Sequence, residues 1–371
     1  MIKGLLSVEA RYFEDLHRLT SVVFRPSLVS EYPQLFHRGN WSNLGIMTEG
    51  RHVVSHVGMT IQDASLFGCP IRVACIGAVC TDPDHRQRGY ASQLFANAIE
   101  KARKNEVDLM ITSGGRSIYL KAGSAPVGAG HRFTAPFDLS AREQLGIRVR
   151  RVEHDALDVL AALYDREPVR FQRTRVTYER AFDCRFVMNR SADFLVLEKG
   201  KIPLAYTVVQ KPNHDQDCLQ IVEYAGDRLV LREALPLLAK RYRCLSATLY
   251  VPSWDSAFCG LLKSWRVKAT RAHTSGVYLV VNFVQLMERL RPLFKRLDGE
   301  DSDTVRFSET KRGFTFQAGS STHVVKDRAN LARFLWGTTE TSLKSTAKGT
   351  LGKHLESILP LPELWYGINY V

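Results

Sequence analysis

From Leu44 onward, apolar and polar positions alternate in runs broken by tight turns: LGIMTE, a Gly50-Arg51 turn, HVVSHVGMTI and IRVACIGAVCTDP. Alternation with a period of two predicts strands, and the short turns between them predict an antiparallel meander. The period then changes. Ala91, Leu94, Phe95, Ala98 and Ile99 recur at helical spacing while Ser92, Gln93, Asn97 and Glu100 fall on the opposite face, which predicts an amphipathic helix. VDLMITSG reads as a further strand and GGRSIYLKAG as a short helical segment flanked by glycines. Together they make one unit, residues 1–140.

The order then repeats. IRVRRV is strand-like, HDALDVLAALYDR and RVTYERAF are helical, and DFLVLEKGKIPLAYTVVQK is a hairpin turning at Gly200-Lys201. CLQIVEYAGD, the helix VLREALPLLAKRY, LSATLYV, a short helix around CGLLKSW and the strand GVYLVVNF complete a second unit, residues 141–290. The repeat predicts a tandem duplication. A third piece, residues 291–371, carries a hairpin of VRFSET and FTFQAG around Lys311-Arg312-Gly313 and a helix near DRANLARFLWG. It ends on LPLPELWYGINYV, whose prolines forbid a regular helix and whose aromatics predict a buried tail. The fold class is therefore α+β, with mixed and mainly antiparallel sheets.

Composition narrows the function. At 371 residues and 45% hydrophobic content the chain has enough apolar material for two or three ordinary cores. Lys and Arg number 51 against 38 Asp and Glu, a formal charge of +13 that favours an anionic partner. No run of basic residues interleaved with aromatics occurs, which argues against nucleic acid. The seven cysteines form no CxxC pair and sit mostly among apolar residues, as reduced thiols in a cytoplasm would. MIKGLLSVEARYFEDLHRL places acidic residues where a signal peptide has its apolar core, and no apolar run is long enough to span a bilayer, so a cytoplasmic protein without a membrane partner is expected.

The most informative stretch is DPDHRQRGYASQLF, residues 82–95. It crowds Arg86 and Arg88 onto the start of the predicted helix, the positive end of its dipole, where anions stabilise and cations do not. The arrangement makes sense when an anion is supplied from outside. Backbone N–H groups of the loop and first turn are unsatisfied, and Gly89 and the small Ala91 let a phosphate approach the backbone. Arg86-x-x-Gly89-x-Ala91, between an apolar strand and an amphipathic helix, resembles the acetyl-CoA signature of the GNAT acyltransferase superfamily. SGGRSIYLKAGSAPVG resembles that superfamily's later motif, and the likeness implies that Tyr119 lies beside the CoA sulfur and protonates the departing thiolate. It also implies a bulge in the strand VACIGAVCTDP, where backbone groups at Val79, Cys80 and Thr81 bind the pantetheine arm and polarise the thioester carbonyl. Cys80 reads as a small strand filler rather than a nucleophile.

Over the whole chain, a GNAT unit, a degenerate second GNAT unit without a counterpart of RQRGYA, and a short sterol-carrier-like unit resemble the enhanced intracellular survival (Eis-like) acetyltransferases. The resemblance implies that Gln87, Arg88, Tyr90, Ser92, Gly114 and Gly115 also line the acetyl-CoA site. It further implies that the terminal carboxylate, here Val371, acts as base or amine-orienting group. Family members often end in phenylalanine, and the substrate-pocket residues have no one-to-one match here, so aminoglycoside acetylation does not carry over.

Other constellations are poorer. His52 and His56 on one strand stand about 13 Å apart at ~3.3 Å per residue, too far for one metal ion. Asp82 and Asp84 beside Pro83 read as turn residues. The reading is a metal-free acetyl-CoA-dependent transferase acting on a small-molecule or peptide amine, with homo-oligomerisation left open. A CoA-binding module without turnover is the alternative from another class. A third, a tandem-GNAT transferase fed by charged tRNA, would use the basic charge but leave the CoA motif without purpose.

Overall fold

The computed structural model describes residues 2–136, 146–212, 217–265, 267–339 and 349–371. The chain gathers into two compact units, one of residues 1–127, 275–361 and Val371, the other of residues 128–274 and 362–370. The expected boundary at 140/141 lies outside the described residues.

The first stretch opens with β1 (Ile2–Ser7), α1 (Ala10–Val23) and the one-turn helices α2 (Leu28–Glu31) and α3 (Pro33–Phe36). The meander follows as β2 (Leu44–Glu49), β3 (His52–Leu66) and β4 (Cys69–Thr81). Then come α4 (Tyr90–Lys104), β5 (Leu109–Ser113), α5 (Ser117–Lys121) and β6 (Ala125–Pro126). The alternating patterns of the sequence become antiparallel ladders, β2 on β3 and β3 on β4. The α4 crossover lets β5 run parallel to β4, in register from Val73–Leu109 to Ile76–Thr112. The apolar stripe of α4, with Leu94, Phe95, Ala98 and Ala102 buried, packs on Met59, Ala74, Ile76 and Met110 of the sheet.

The second unit holds β7 (Gly130–Pro136), β8 (Ile147–Arg151), α6 (Leu157–Tyr164), β9 (Val169–Phe171), α7 (Arg175–Cys184), β10 (Phe186–Val187) and β11 (Arg190–Lys199). It continues through β12 (Ile202–Gln210), β13 (Cys218–Gly226), α8 (Arg228–Arg241), β14 (Ser246–Val251), α9 (Ser256–Ser264) and β15 (Lys268–Ala272). Its sheet runs β10-β11-β12-β13-β14-β7-β15, with β8 on β11. Here β13 and β14 are the parallel pair, joined by the α8 crossover as β4 and β5 are joined by α4.

The chain then returns to the first unit with β16 (Gly276–Val280), α10 (Phe283–Asp298), β17 (Arg306–Thr310), β18 (Gly313–Ala318), β19 (Ser321–Val325), α11 (Arg328–Trp336) and α12 (Gly349–Ile358). β17, β18 and β19 form a small antiparallel sheet. Phe283 of α10 meets Phe307, Phe314 and Phe316 of that sheet edge to face.

The two large sheets exchange strands. β7, a strand not singled out in the sequence and lying within the residues 1–140 expected to form the first unit, hydrogen-bonds to β14 and β15. β16, expected to close the second unit, pairs with β5 and β6 and completes the order β1-β2-β3-β4-β5-β16-β6. Alternation identifies a strand but not the edge it joins, because any exposed edge of matching length offers the same backbone groups. Within the second unit the tail is fixed as an extended segment with one 3-10 turn at Gly367–Asn369, as its prolines require.

Candidate functional site

The register between β3 and β4 breaks at one place. Gly58 faces Gly77 and His56 faces Cys80, so Ala78 and Val79 on β4 oppose Val57 alone. This bulge needs Ala78 at φ +51°, a conformation rare for a residue with a side chain. The parallel pairing to β5 has already ended at Ile76–Thr112, so β4 parts from β5 just before the bulge. Ladder groups on that side of residues 77–81 are thereby released from β5. On the β3 side, Ser55 Oγ donates to the Cys80 carbonyl at 3.1 Å and lies 2.9 Å from Thr81 Oγ1.

After Thr81 the chain turns. Asp82 accepts from the Asp84 N–H at 3.1 Å, the turn role expected for that pair. His85 is held by Glu49 at 3.0 Å and Asp82 at 3.3 Å, and Glu49 first, then Asp82, raises its pKa despite partial desolvation. Gln87 and Gly89 then adopt positive φ, +63° and +76°. Gly89 is the N-cap of α4 and has no side chain to satisfy the first-turn N–H groups. No acidic residue occupies that turn, whereas the last turn carries Lys101, Arg103 and Lys104, where cations suit the dipole. Arg86 and Arg88 are exposed at the same positive end.

A cavity of about 500 Å³ opens on this loop, lined by Val79, Cys80, Thr81, Arg86, Gln87, Arg88, Gly89, Tyr90, Ala91 and Ser92. These are ten of the twelve residues expected to hold the cofactor. The other two, Gly114 and Gly115, follow β5 in open space and are not among the lining residues. His85, Arg116, Ile118 and Val23 also line it. His85 and Arg116 stand inside the motifs that drew attention, while Val23 on α1 carries no sequence signal. The residues fit a phosphate-bearing group: the N–H groups are uncapped, and a Cβ at Gly89 would meet nothing closer than 3.8 Å but would be forced into a left-handed φ. Burial pushes the Cys80 thiol up to about 12, with Arg116 pulling weakly the other way, so it stays protonated at neutral pH. That suits a strand filler and not a nucleophile.

The two expected catalytic residues differ in placement. Tyr119 on α5 is 4% exposed and packs edge-on against Phe95 at 5.2 Å, in the core cluster beneath the sheet. It is not among the residues lining the cavity, although its neighbour Ile118 is. Val371 lies against Gly77, the residue before the bulge. A Cβ at Gly77 would sit 2.4 Å from the Val371 carbonyl carbon and 2.6 Å from its oxygen, so only glycine admits the last residue there. Gly77 and Ala78 were not singled out in the sequence, because a glycine inside an apolar strand signals close approach without saying of what.

His52 and His56, too far apart on their strand to share a metal ion, stand in different surroundings. His52 is exposed beside Asp15, but His56 is fully buried. Its Nδ1 donates to the Gly45 carbonyl at 3.0 Å, which leaves Nε2 as the bare nitrogen, and Nε2 has no partner among the described residues. The ring leans over Gly58, where a Cβ would be 3.1 Å from Nε2. Burial lowers its pKa to about 4, against the smaller opposing effect of the Gly45 hydrogen bond. Among the described residues no cluster of three or more His, Cys, Asp or Glu could hold a metal ion, and no helix is long and apolar enough to cross a membrane.

Residues 7–126 match the family model of an acetyltransferase (GNAT) domain. No curated protein matches the chain. Among solved structures, it is similar to a GCN5-related N-acetyltransferase from Anabaena variabilis ATCC 29413, at 13% identity over 97% of each chain and a TM-score of 0.66. A GCN5-related N-acetyltransferase from Kribbella flavida gives 15% identity over 100% of this chain and 98% of that one, with a TM-score of 0.63. Eis1 from Mycobacterium abscessus gives 11% identity over 97% of each chain and a TM-score of 0.62. At such identities the likeness is one of fold.

His56 provides a pH test of this geometry. Its folded value of about 4 lies below the ordinary 6.5, so the unfolded chain binds a proton that the folded chain refuses. Stability is expected to fall as pH drops through that window, and His56→Gln should flatten the fall. Urea unfolding midpoints at pH 7 and pH 5 check this; equal pH dependence in the two proteins would contradict a buried neutral His56.

Proposed function

We propose that this protein is an acetyl-CoA-dependent N-acetyltransferase in which the neutral primary amine of a small molecule or peptide attacks the thioester directly. The observation that carries the reading is the conjunction, around the end of β4, of the Ala78–Val79 bulge, the uncapped N-terminus of α4 and Val371 seated on Gly77. The GNAT match over residues 7–126 and the whole-chain likeness to N-acetyltransferase structures support it.

Bound acetyl-CoA would supply the activated acetyl thioester. The N–H groups from Gln87 to Ser92, with the Arg86 and Arg88 cations, would hold its pyrophosphate, and Gly114 and Gly115 would border the site. Backbone groups freed at Val79, Cys80 and Thr81 would orient the pantetheine arm and stabilise charge on the thioester oxygen. Tyr119 Oη would donate a proton to the leaving sulfur, and the Val371 carboxylate would accept a proton from the acceptor amine or hold it in line. In this reading the unit that carries β1 to β6 and β16 is the active GNAT domain, the unit of β7 to β15 a degenerate one, and the small β17–β19 sheet with its helices a sterol-carrier-like addition, in an Eis-like enzyme working in the cytoplasm.

Thiol release from acetyl-CoA over a panel of polyamines, aminoglycosides and peptides tests turnover; CoA binding without release on any of them would favour the non-catalytic module. For the cofactor, Gly89→Glu adds bulk and negative charge where phosphate must approach, and calorimetry should find CoA binding abolished in a folded protein. Unchanged affinity would remove the basis of the assignment. Tyr119→Phe keeps the ring against Phe95 and deletes the proton; CoA affinity should hold while kcat drops roughly 10²-fold or more. A kcat equal to wild type would return Tyr119 to a packing role. Two glycines appended after Val371 should abolish most turnover with CoA affinity intact, and normal turnover would place the base elsewhere.

A further inference from the structure

The second unit contains the same strand geometry as the first, and there it is filled. β13 and β14 pair in parallel from Cys218–Ser246 to Ile221–Leu249 and then part. Val208 faces Glu223 and Val209 faces Ile221, so Val222 is a bulge residue at the point of parting, as Ala78 and Val79 are on β4. In the first unit that place adjoins a cavity of about 500 Å³. In the second it holds residues 362–370 of the chain's own tail.

The tail is bonded to both sides of the gap. On the β13 side, Trp365 Nε1 donates to the Val222 carbonyl at 2.6 Å and the Ile368 N–H donates to Glu223 Oε2 at 2.8 Å. On the β14 side, Glu363 accepts from Tyr250 Oη at 3.1 Å and from the Ser253 N–H and Oγ at 2.6 and 2.7 Å, and Trp254 Nε1 donates to the Glu363 carbonyl at 3.0 Å. Trp365 stacks on Tyr250 at 4.7 Å. The space left beside them is about 40 Å³, room for a single water and for no pantetheine arm.

At the centre lies an ion pair with no exposure to spare. The Arg173 side chain is 0% and that of Glu223 4% exposed, and they join through two bonds of 2.8 and 2.7 Å. Arg173 Nε also donates to Asn369 Oδ1 at 2.7 Å, and its guanidinium stacks over Tyr164. Gly367 allows the turn at φ +52°, and a Cβ on it would lie 1.7 Å from Glu223 Oε2. Tyr370 is the last residue of this unit, and the next, Val371, belongs to the first.

We propose that the parted strands of the second unit are a cofactor-type cleft converted into a socket for residues 362–370, and that Arg173 and Glu223 are the positioning residues that hold this segment, to which Val371 is joined, in its docked conformation. The inference rests on the catalytic reading of Val371 only for its effect on turnover; the socket itself has a separate readout. The test uses the full chain carrying Arg173→Met with Glu223→Gln, which removes the pair without stranding a buried charge. Trp365→Phe, which removes one donor and keeps the ring stack, serves if the double variant fails to fold. Carboxypeptidase digestion followed by mass spectrometry is expected to release Val371 at least ~10-fold faster from the variant than from wild type, because cleavage follows the population of the undocked tail. Calorimetry with CoA should give an unchanged Kd, and turnover on the best panel amine should fall in kcat rather than in KM for acetyl-CoA. Equal protection of the terminus in a folded variant overturns the socket. Faster release with wild-type kcat keeps the socket but overturns the catalytic reading of Val371, so the two failures are distinguishable.

Discussion

Two parallel strands that stop pairing before they end create a problem of backbone chemistry: the donors and acceptors beyond the last shared rung need new partners. In this chain the problem arises twice, after Ile76–Thr112 and after Ile221–Leu249, each time beside a bulge that re-aims the strand. Around the first parting stand the cavity, the positive helix end and Val371. Around the second, indole, carboxylate and main-chain groups of the tail satisfy the gap from within. The same local geometry thus serves an open cleft in one unit and an anchorage in the other.

The helices that follow the two partings carry the same distinction. α8 begins on Asp227, whose carboxylate accepts from the Leu229 and Val230 N–H groups at 2.8 and 2.9 Å, so its positive end is closed by its own chain. α4 begins on Gly89 and forgoes a side-chain cap, which costs an ordinary helix only roughly a few tenths of a kcal/mol but leaves the first-turn N–H groups open. Arg86 and Arg88 increase rather than relieve the excess of positive charge. A helix end left in this condition beside a cavity is open to a ligand, whereas the start of α8 is closed by its own chain.

Buried charge is distributed in keeping with these roles. Arg173 and Glu223 satisfy one another and the tail, an arrangement whose value lies in specifying one docked geometry more than in net stability. His56 takes the opposite course: burial keeps it neutral, with a bare Nε2 on the sheet face where Gly58 and Gly77 leave room.

Much of this was legible from residue order. Period-two runs marked the meander, Leu94, Phe95 and Ala98 marked the buried stripe of α4, and DPDHRQRG marked the loop that lines the cavity, because these signals are local: each depends on residues within a turn or two of one another. The absence of a counterpart of RQRGYA from the second unit was local too, and there α8 begins on the capping Asp227. What the sequence could not determine was which distant pieces meet. β7 and β16 have ordinary strand patterns, and only competition among sheet edges sent each to the other's sheet. Gly77 became meaningful once Val371, nearly three hundred residues later, was seen against it; Arg173 and Glu223 became a clamp once Asn369 and Ile368 reached them. Such contacts follow from close packing and hydrogen-bond satisfaction over the whole fold, and no periodicity along the chain records them.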